Sequence, residues 1–308
     1  MKFLTLAAPV IILLIAAIVI LTPVRVFNAL VPVDLGVERI ARDVAYGDGP
    51  RQKLDIYRPA QAGGALPIII FCHGGGWNSG DRESYGFVGR SLAAAGFLII
   101  VIDYRLVPEI EFPAFVQDTA RAVRWSADNA ASFGGDPERI FLMGHSAGAY
   151  DVVMAALDPK YLRDAGVPKG TVKGVVALSG PYDFLPLDVP STVAAFSKWP
   201  KPAETQPINF ARPDAPPMLL LTGTSDTTVY PRNSIALARR LAGQGADVQL
   251  KTYPGLGHAA MVLARSRPFR WRADVRDDVI AFIQGLSGRS LSQPARANRA
   301  SIAAHASS

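Results

Sequence analysis

Short continuous apolar runs and stretches of helical spacing alternate through most of this chain. Residues 67–72 (PIIIFC), 97–102, 140–143, 172–178 and 218–221 are runs of four to seven residues dominated by apolar side chains, and 248–253 (VQLKTY) is read with them. Such runs suit strands covered on both faces. Residues 52–57 (QKLDIY) instead alternate, like a half-exposed strand. Between the runs, residues 87–95, 115–133, 147–157, 233–241 and 275–283 carry apolar positions three or four apart, most ending near a glycine. Strand and helix in alternation predict an α/β domain built on a mostly parallel central sheet with helices on both faces.

Two regions break the rhythm. Residues 180–217 contain Pro181, Pro186, Pro190, Pro200, Pro202, Pro207 and Pro213 before the Pro216–Pro217 pair, and are too long for a tight connection. They are read as a small cap or lid. Residues 3–22 (FLTLAAPVIILLIAAIVILT) are twenty residues without a charge, between Lys2 and Arg25. As a helix they would measure about 30 Å, the thickness of a bilayer's hydrocarbon core. No A-x-A cleavage site follows, and no polar position recurs as it would in a core helix. An N-terminal transmembrane helix acting as an uncleaved anchor is therefore expected, with the α/β domain extracytoplasmic; secretion after signal cleavage is the alternative. The expected organisation is 1–34 membrane anchor and linker, 35–286 the α/β domain with 180–217 as its cap, and 287–308 a disordered tail.

Composition narrows the function classes. The chain is 49% hydrophobic and 19% charged, ordinary for a globular protein, and its single cysteine excludes an internal disulfide. The net charge of +6 suggests nucleic acid until it is located: Arg289, Arg296 and Arg299, unopposed in the tail, supply half of it. No basic run interleaved with aromatics appears, so nucleic acid is not an expected partner.

The strongest chemical signal is Gly144-His145-Ser146-Ala147-Gly148, between a strand-like run and a helix-like stretch. A serine hydroxyl needs exposure, rigidity and a base to become a nucleophile. A sharp strand-to-helix turn exposes it, glycines let the turn close, and the next amide, that of Ala147, points at the oxyanion. His73-Gly74-Gly75-Gly76-Trp77 follows another strand, and its glycines allow a close backbone approach to a developing negative charge. The Gly-Lys-Ser/Thr of a phosphate loop is absent there. A base is expected late in the chain at His258, with Asp226, one strand earlier, fixing its tautomer. Asp183 is the rival acid. His73 and His145 are read as structural.

These residues resemble the α/β-hydrolase superfamily, in its esterase/lipase branch with an HGGG loop. The likeness runs over about residues 45–285 and includes Asp103-Tyr104-Arg105-Leu106, Pro108-Glu109, Phe112-Pro113, Gly135-Asp136-Pro137 and the GHSAG elbow. It implies a serine carboxylesterase acting on a small-molecule ester through Ser146, His258 and Asp226, without metal or organic cofactor. Gly75, Gly76 and Ala147 would form the oxyanion hole; Asp103, Arg105 and Asp118 would brace the loops. The large N-terminal helical cap common in the hormone-sensitive-lipase branch has no counterpart here. An amidase of the arylformamidase type, which also uses a His-Gly-Gly loop, is the alternative on the same fold. An inactive interaction module fits less well, because all three triad candidates are kept, and a membrane transport component has only the single N-terminal span in its favour. Phe184, Leu185, Leu187, Phe196 and Trp199 are candidates for an apolar acyl pocket or for the cap's own core.

Overall fold

The computed structural model describes residues 23–288. Eight strands form one sheet: β1 (Val37–Ala45), β2 (Lys53–Pro59), β3 (Leu66–Cys72), β4 (Leu98–Ile102), β5 (Gly135–His145), β6 (Val172–Leu178), β7 (Met218–Gly223) and β8 (Val248–Tyr253), in the order β1-β2-β4-β3-β5-β6-β7-β8. β2 pairs antiparallel with β1 and β4, and every pairing from β4 through to β8 is parallel. This is the mostly parallel sheet expected.

The continuous apolar runs have a direct cause. Ile68, Ile70 and Cys72 of β3 point into one core layer, and Ile69 and Phe71 into the other. β4 divides in the same way, with Leu98, Ile100 and Ile102 opposite Ile99 and Val101. A strand alternates its side chains, so burial of both faces demands an apolar residue at every position. The first layer is roofed by α3 (Ala114–Asn129), α4 (Ala147–Leu157) and α7 (Arg232–Gly243); the second by α2 (Gly86–Ala93) and α9 (Val275–Ser287).

β1 was not among the expected strands. Its sequence VERIARDVA is polar and largely exposed, as befits an edge strand paired on one side only. β5 likewise starts earlier than its apolar run, because Gly135 and Asp136 continue the pairing to Leu66 and Pro67. Residues 180–217, expected to form a cap, hold the short helix α6 (Pro190–Phe196) and two 3-10 turns.

The transmembrane expectation falls on residues 3–22, outside the described residues; among the described ones no helix is long and apolar enough to cross a membrane. The expected tail also lies almost wholly outside them. Residues 23–34, assigned to the anchor and linker, pack on the domain. In α1 (Pro23–Leu30), Phe27 meets Phe87 edge-on at 5.1 Å, and Asn28 donates to the Glu83 carbonyl at 2.7 Å. Buried Asp34 pairs with Arg270 at 2.6 Å.

Candidate active site

The loops leaving β3, β5, β7 and β8 meet at one edge of the sheet, at the carboxyl ends of its parallel strands, where open α/β sheets bind ligands. Ser146 stands between β5 and α4 with φ 56° and ψ −121°, a strained conformation for a residue with a side chain. Its amide donates to the Leu178 carbonyl at 2.9 Å, fastening the turn to β6. The flanking glycines are obligatory. A Cβ on Gly144 would stand 2.2 Å from the Gly148 carbonyl oxygen, and one on Gly148 would stand 2.3 Å from that of Cys72. Ala147 opens α4, so its amide has no intrahelical acceptor and is free for an oxyanion.

Asp226 and His258 are in direct contact, His258 Nδ1 to Asp226 Oδ2 at 2.8 Å. Asp226 sits in the turn after β7, and its other oxygen accepts the amides of Thr228 (3.0 Å) and Val229 (2.9 Å). Burial works to raise the carboxyl's pKa, but the hydrogen bond and charge of His258 and the Val229 amide outweigh it and hold the group below its ordinary value. Asp226 is thus a fixed carboxylate. His258 opens α8 (His258–Leu263), and the Ser225 amide, donating to the Leu256 carbonyl at 3.0 Å, ties the two loops together. With Nδ1 engaged, Nε2 is the nitrogen able to exchange a proton. The rival acid Asp183 is exposed, and Asp226 occupies the position beside His258.

His258 is held from a second side. His145 Nε2 donates to the His258 carbonyl oxygen at 3.2 Å, and His145 Nδ1 lies 3.4 Å from the Tyr85 hydroxyl. A carbonyl only accepts, so Nε2 carries the proton and Nδ1 accepts from Tyr85. Burial, then the neighbouring charge of His258, push the His145 pKa well below the histidine norm, keeping the ring neutral. The side-chain hydrogen bonds of His258 and His145 thus run to Asp226, the His258 carbonyl and Tyr85; none runs to Ser146. Catalytic serine–histidine contacts commonly tighten only on substrate binding.

The glycine loop is equally constrained. Gly75 has φ 134°, and a Cβ there would stand 2.1 Å from the Ser79 carbonyl oxygen. The Gly75 carbonyl accepts the Asn78 and Ser79 amides and the Ser79 hydroxyl, turning the peptide over. Gly76, φ 59°, lines the same cavity as Ser146 and Ala147. Below the loop, His73 is fully buried, stacks on Tyr104 at 4.4 Å and holds the Gly74 carbonyl through Nδ1, a structural role. Asp103 accepts the Arg82 amide at 2.6 Å, and Arg82 also bonds Asp55 at 2.9 Å. Asp118 takes a two-pronged contact from Arg105 at 2.8 Å to each nitrogen. These acids brace the loops, as the resemblance implied.

Asp151 was not singled out from the sequence, and Trp77 only as the last residue of the glycine loop. Trp77 has φ 61°, is buried, and donates its indole N–H to Asp151 Oδ1 at 3.1 Å across to α4. Burial drives the Asp151 carboxyl pKa well up, only partly offset by the Trp77 hydrogen bond, and so disfavours its charged form. The one legible signal was an acid at the fourth position after Ala147, inside an otherwise apolar helix.

A cavity of about 580 Å³ opens over Ser146, lined by Gly76, Trp77, Ala147, Asp183, Phe184, Leu185, Asp188, Tyr230 and Arg232 among others. The five aromatic and aliphatic cap candidates divide. Phe184 and Leu185 line the cavity, whereas Phe196 is buried edge-on against Trp77 at 4.8 Å, and Leu187 and Trp199 pack around that cluster. Another cavity of the same volume, between Leu162, Val172, Arg212 and Pro216, lies at the amino ends of β6 and β7, away from these groups. Among the described residues no group of His, Cys, Asp and Glu is arranged to hold a metal.

Comparison with known proteins gives a consistent neighbourhood. The family model described as BD-FAE matches residues 54–241. The isoprenylcysteine alpha-carbonyl methylesterase ICME of Arabidopsis thaliana is 29% identical over 284 residues, 83% of this chain and 66% of that protein. Esterase LipC of Mycobacterium tuberculosis is 31% identical over 251 residues, 73% of this chain and 61% of that protein. The chain therefore spans less than two thirds of either relative's length. A truncated form of a carbohydrate esterase from gut microbiota superposes with TM-score 0.72 at 26% identity, over 84% of this chain and 100% of that one.

Proposed function

Because the chain belongs to the BD-FAE family, whose model matches more than half of it, we propose that it hydrolyses carboxylic esters through a Ser146–His258–Asp226 triad and an acyl-enzyme. The observation that carries the reading is the 2.8 Å contact between His258 Nδ1 and the buried Asp226 carboxylate at the sheet edge that also bears the strained Ser146.

In the first half-reaction His258 Nε2 takes the proton of Ser146 as Oγ attacks the ester carbonyl carbon. The carbonyl oxygen becomes an oxyanion that accepts from the amides of Gly75, Gly76 and Ala147. Collapse breaks the carbon–oxygen bond, and the imidazolium returns the proton to the leaving alcohol. Water then enters, gives a proton to His258 and attacks the acyl carbon; a second collapse releases the acid and restores Ser146. Asp226 remains charged throughout and stabilises each imidazolium. The tetrahedral intermediates are where the amides matter most, since each such donor is worth roughly 3–4 kcal/mol in a preorganised site.

The cavity volume suits a small-molecule substrate. The relatives' names, methylesterase and esterase, favour an ester over the amide of an arylformamidase-type reaction. Residues 3–22 are read as a membrane anchor with the catalytic domain outside the cytoplasm, a reading supported by their length and lack of charge.

Replacing Ser146 by Ala tests the assignment. Turnover on p-nitrophenyl esters from acetyl to palmitoyl is expected to fall about 10⁴- to 10⁶-fold, with loss of fluorophosphonate labelling. Undiminished turnover, or hydrolysis of formylkynurenine in preference to every ester, would overturn it.

A further inference from the structure

Two adjoining surface segments leave large apolar side chains exposed among the described residues. Leu30, Val33 and Leu35 stand out at and just beyond the end of α1, and Trp271, 81% exposed, stands out from the 3-10 helix Arg267–Arg272. The two segments are joined: Phe27 lies 5.9 Å from Phe269, Arg267 donates to the Val33 carbonyl at 3.3 Å, and Arg270 pairs with Asp34. The Trp271 indole N–H already donates to the Pro268 carbonyl at 3.0 Å, so hydrogen bonding to water does not explain its exposure. Beside it stand exposed Arg267 and Arg272, neither in an ion pair among the described residues, and residues 267–274 carry three arginines against Asp274 alone. The twenty uncharged residues 3–22 end directly before α1.

We propose that this face rests on the headgroup layer of an anionic bilayer, with Trp271 at the interface among Leu30, Val33 and Leu35, and Arg267 and Arg272 against lipid phosphates. Tryptophan is amphipathic and concentrates at that depth, apolar side chains beside it leave water, and arginines are drawn to the negative surface. The proposal takes from the anchor reading only that a membrane is at hand, and it is independent of ester hydrolysis.

The test uses the full chain in vesicles of phosphatidylcholine and phosphatidylglycerol whose acyl chains are brominated near the headgroup. Residues 3–22 contain no tryptophan, so quenching reports on Trp77, Trp125, Trp199 and Trp271 alone. Most of the quenching is expected to disappear in Trp271→Phe, and to weaken with added salt and in the double variant Arg267→Gln/Arg272→Gln. Equal quenching of wild type and Trp271→Phe overturns the proposal. So does a lipid-free dimer that Trp271→Phe dissociates, since a second copy would then cover the face. Vesicle-bound protein that resists alkaline extraction without Trp271-dependent quenching overturns this face while leaving the anchor. Trp271-dependent quenching in protein that alkali releases supports the face and overturns the anchor.

Discussion

His145 Nε2 lies 3.2 Å from the carbonyl oxygen of His258, and the two imidazole rings sit 4.8 Å apart. The residue before the proposed nucleophile thus holds the backbone of the proposed base, while Asp226 holds its ring. Two loops that leave different strands are joined at the point where their relative position matters most. Replacing His145 by Phe should lower kcat about tenfold with little change in KM, the effect of losing one partly buried hydrogen bond. His145→Gln, which keeps a donor, should recover part of it. Equal rates in the two variants would mean that the contact only fills space.

The same ring makes stability depend on pH. Its folded-state pKa is depressed by burial, so on acidification the unfolded chain takes up the proton first. Its contribution is complete above the unfolded value of about 6.5 and is lost as pH falls, at no more than about 1.4 kcal/mol per pH unit. Urea midpoints measured at about pH 5 and about pH 7.5 should differ less in His145→Phe than in the wild type.

Asp226→Asn removes the charge but keeps the size. A drop in kcat of about 10⁴-fold is expected, with the fold intact by circular dichroism. Asp183→Asn, in the cavity wall, should leave most of the turnover in place. Reversal of this order in steady-state assays would reassign the acid.

The two loop glycines should respond differently to alanine. A Cβ on Gly75 meets backbone at 2.1 Å, whereas one on Gly76 meets the Ser191 Cβ at 3.3 Å. Gly75→Ala should fail to fold or melt far lower. Gly76→Ala should fold at a cost of about 1–2 kcal/mol for its left-handed backbone and lose turnover. Melting curves read alongside activity separate the two outcomes.

Asp151 offers a prediction of opposite sign to that of His145. Its pKa is raised by burial, so its contribution to stability is complete below the unfolded carboxyl value of about 3.9 and lost as pH rises. Asp151→Asn mimics the neutral acid and still accepts from Trp77. It should match the wild type near pH 4 and exceed it at about pH 8 in chemical denaturation. A variant less stable than wild type at both would show that the carboxylate is ionised and paired.

Much of the fold was legible because most strands of this sheet are buried on both faces. Every position of β3, β4 and the Met218–Leu221 part of β7 had to be apolar, and that demand appears as unbroken runs. The elbow was legible for a similar reason: with carbonyl oxygens closer than 2.5 Å to any Cβ at 144 or 148, only glycine fits there. β1 was hidden because a solvated edge strand makes no such demand. Strand order favoured Asp226 over Asp183 as the partner of His258. Other partners of the site were hidden because pairing is a property of space: nothing in the order of residues says that the His145 ring faces a carbonyl 113 residues away, or that Trp77 reaches Asp151. Local backbone geometry selects residue types one position at a time, and so it leaves a trace in sequence. A contact between distant loops is selected by the sheet that carries both, and only the folded chain specifies it.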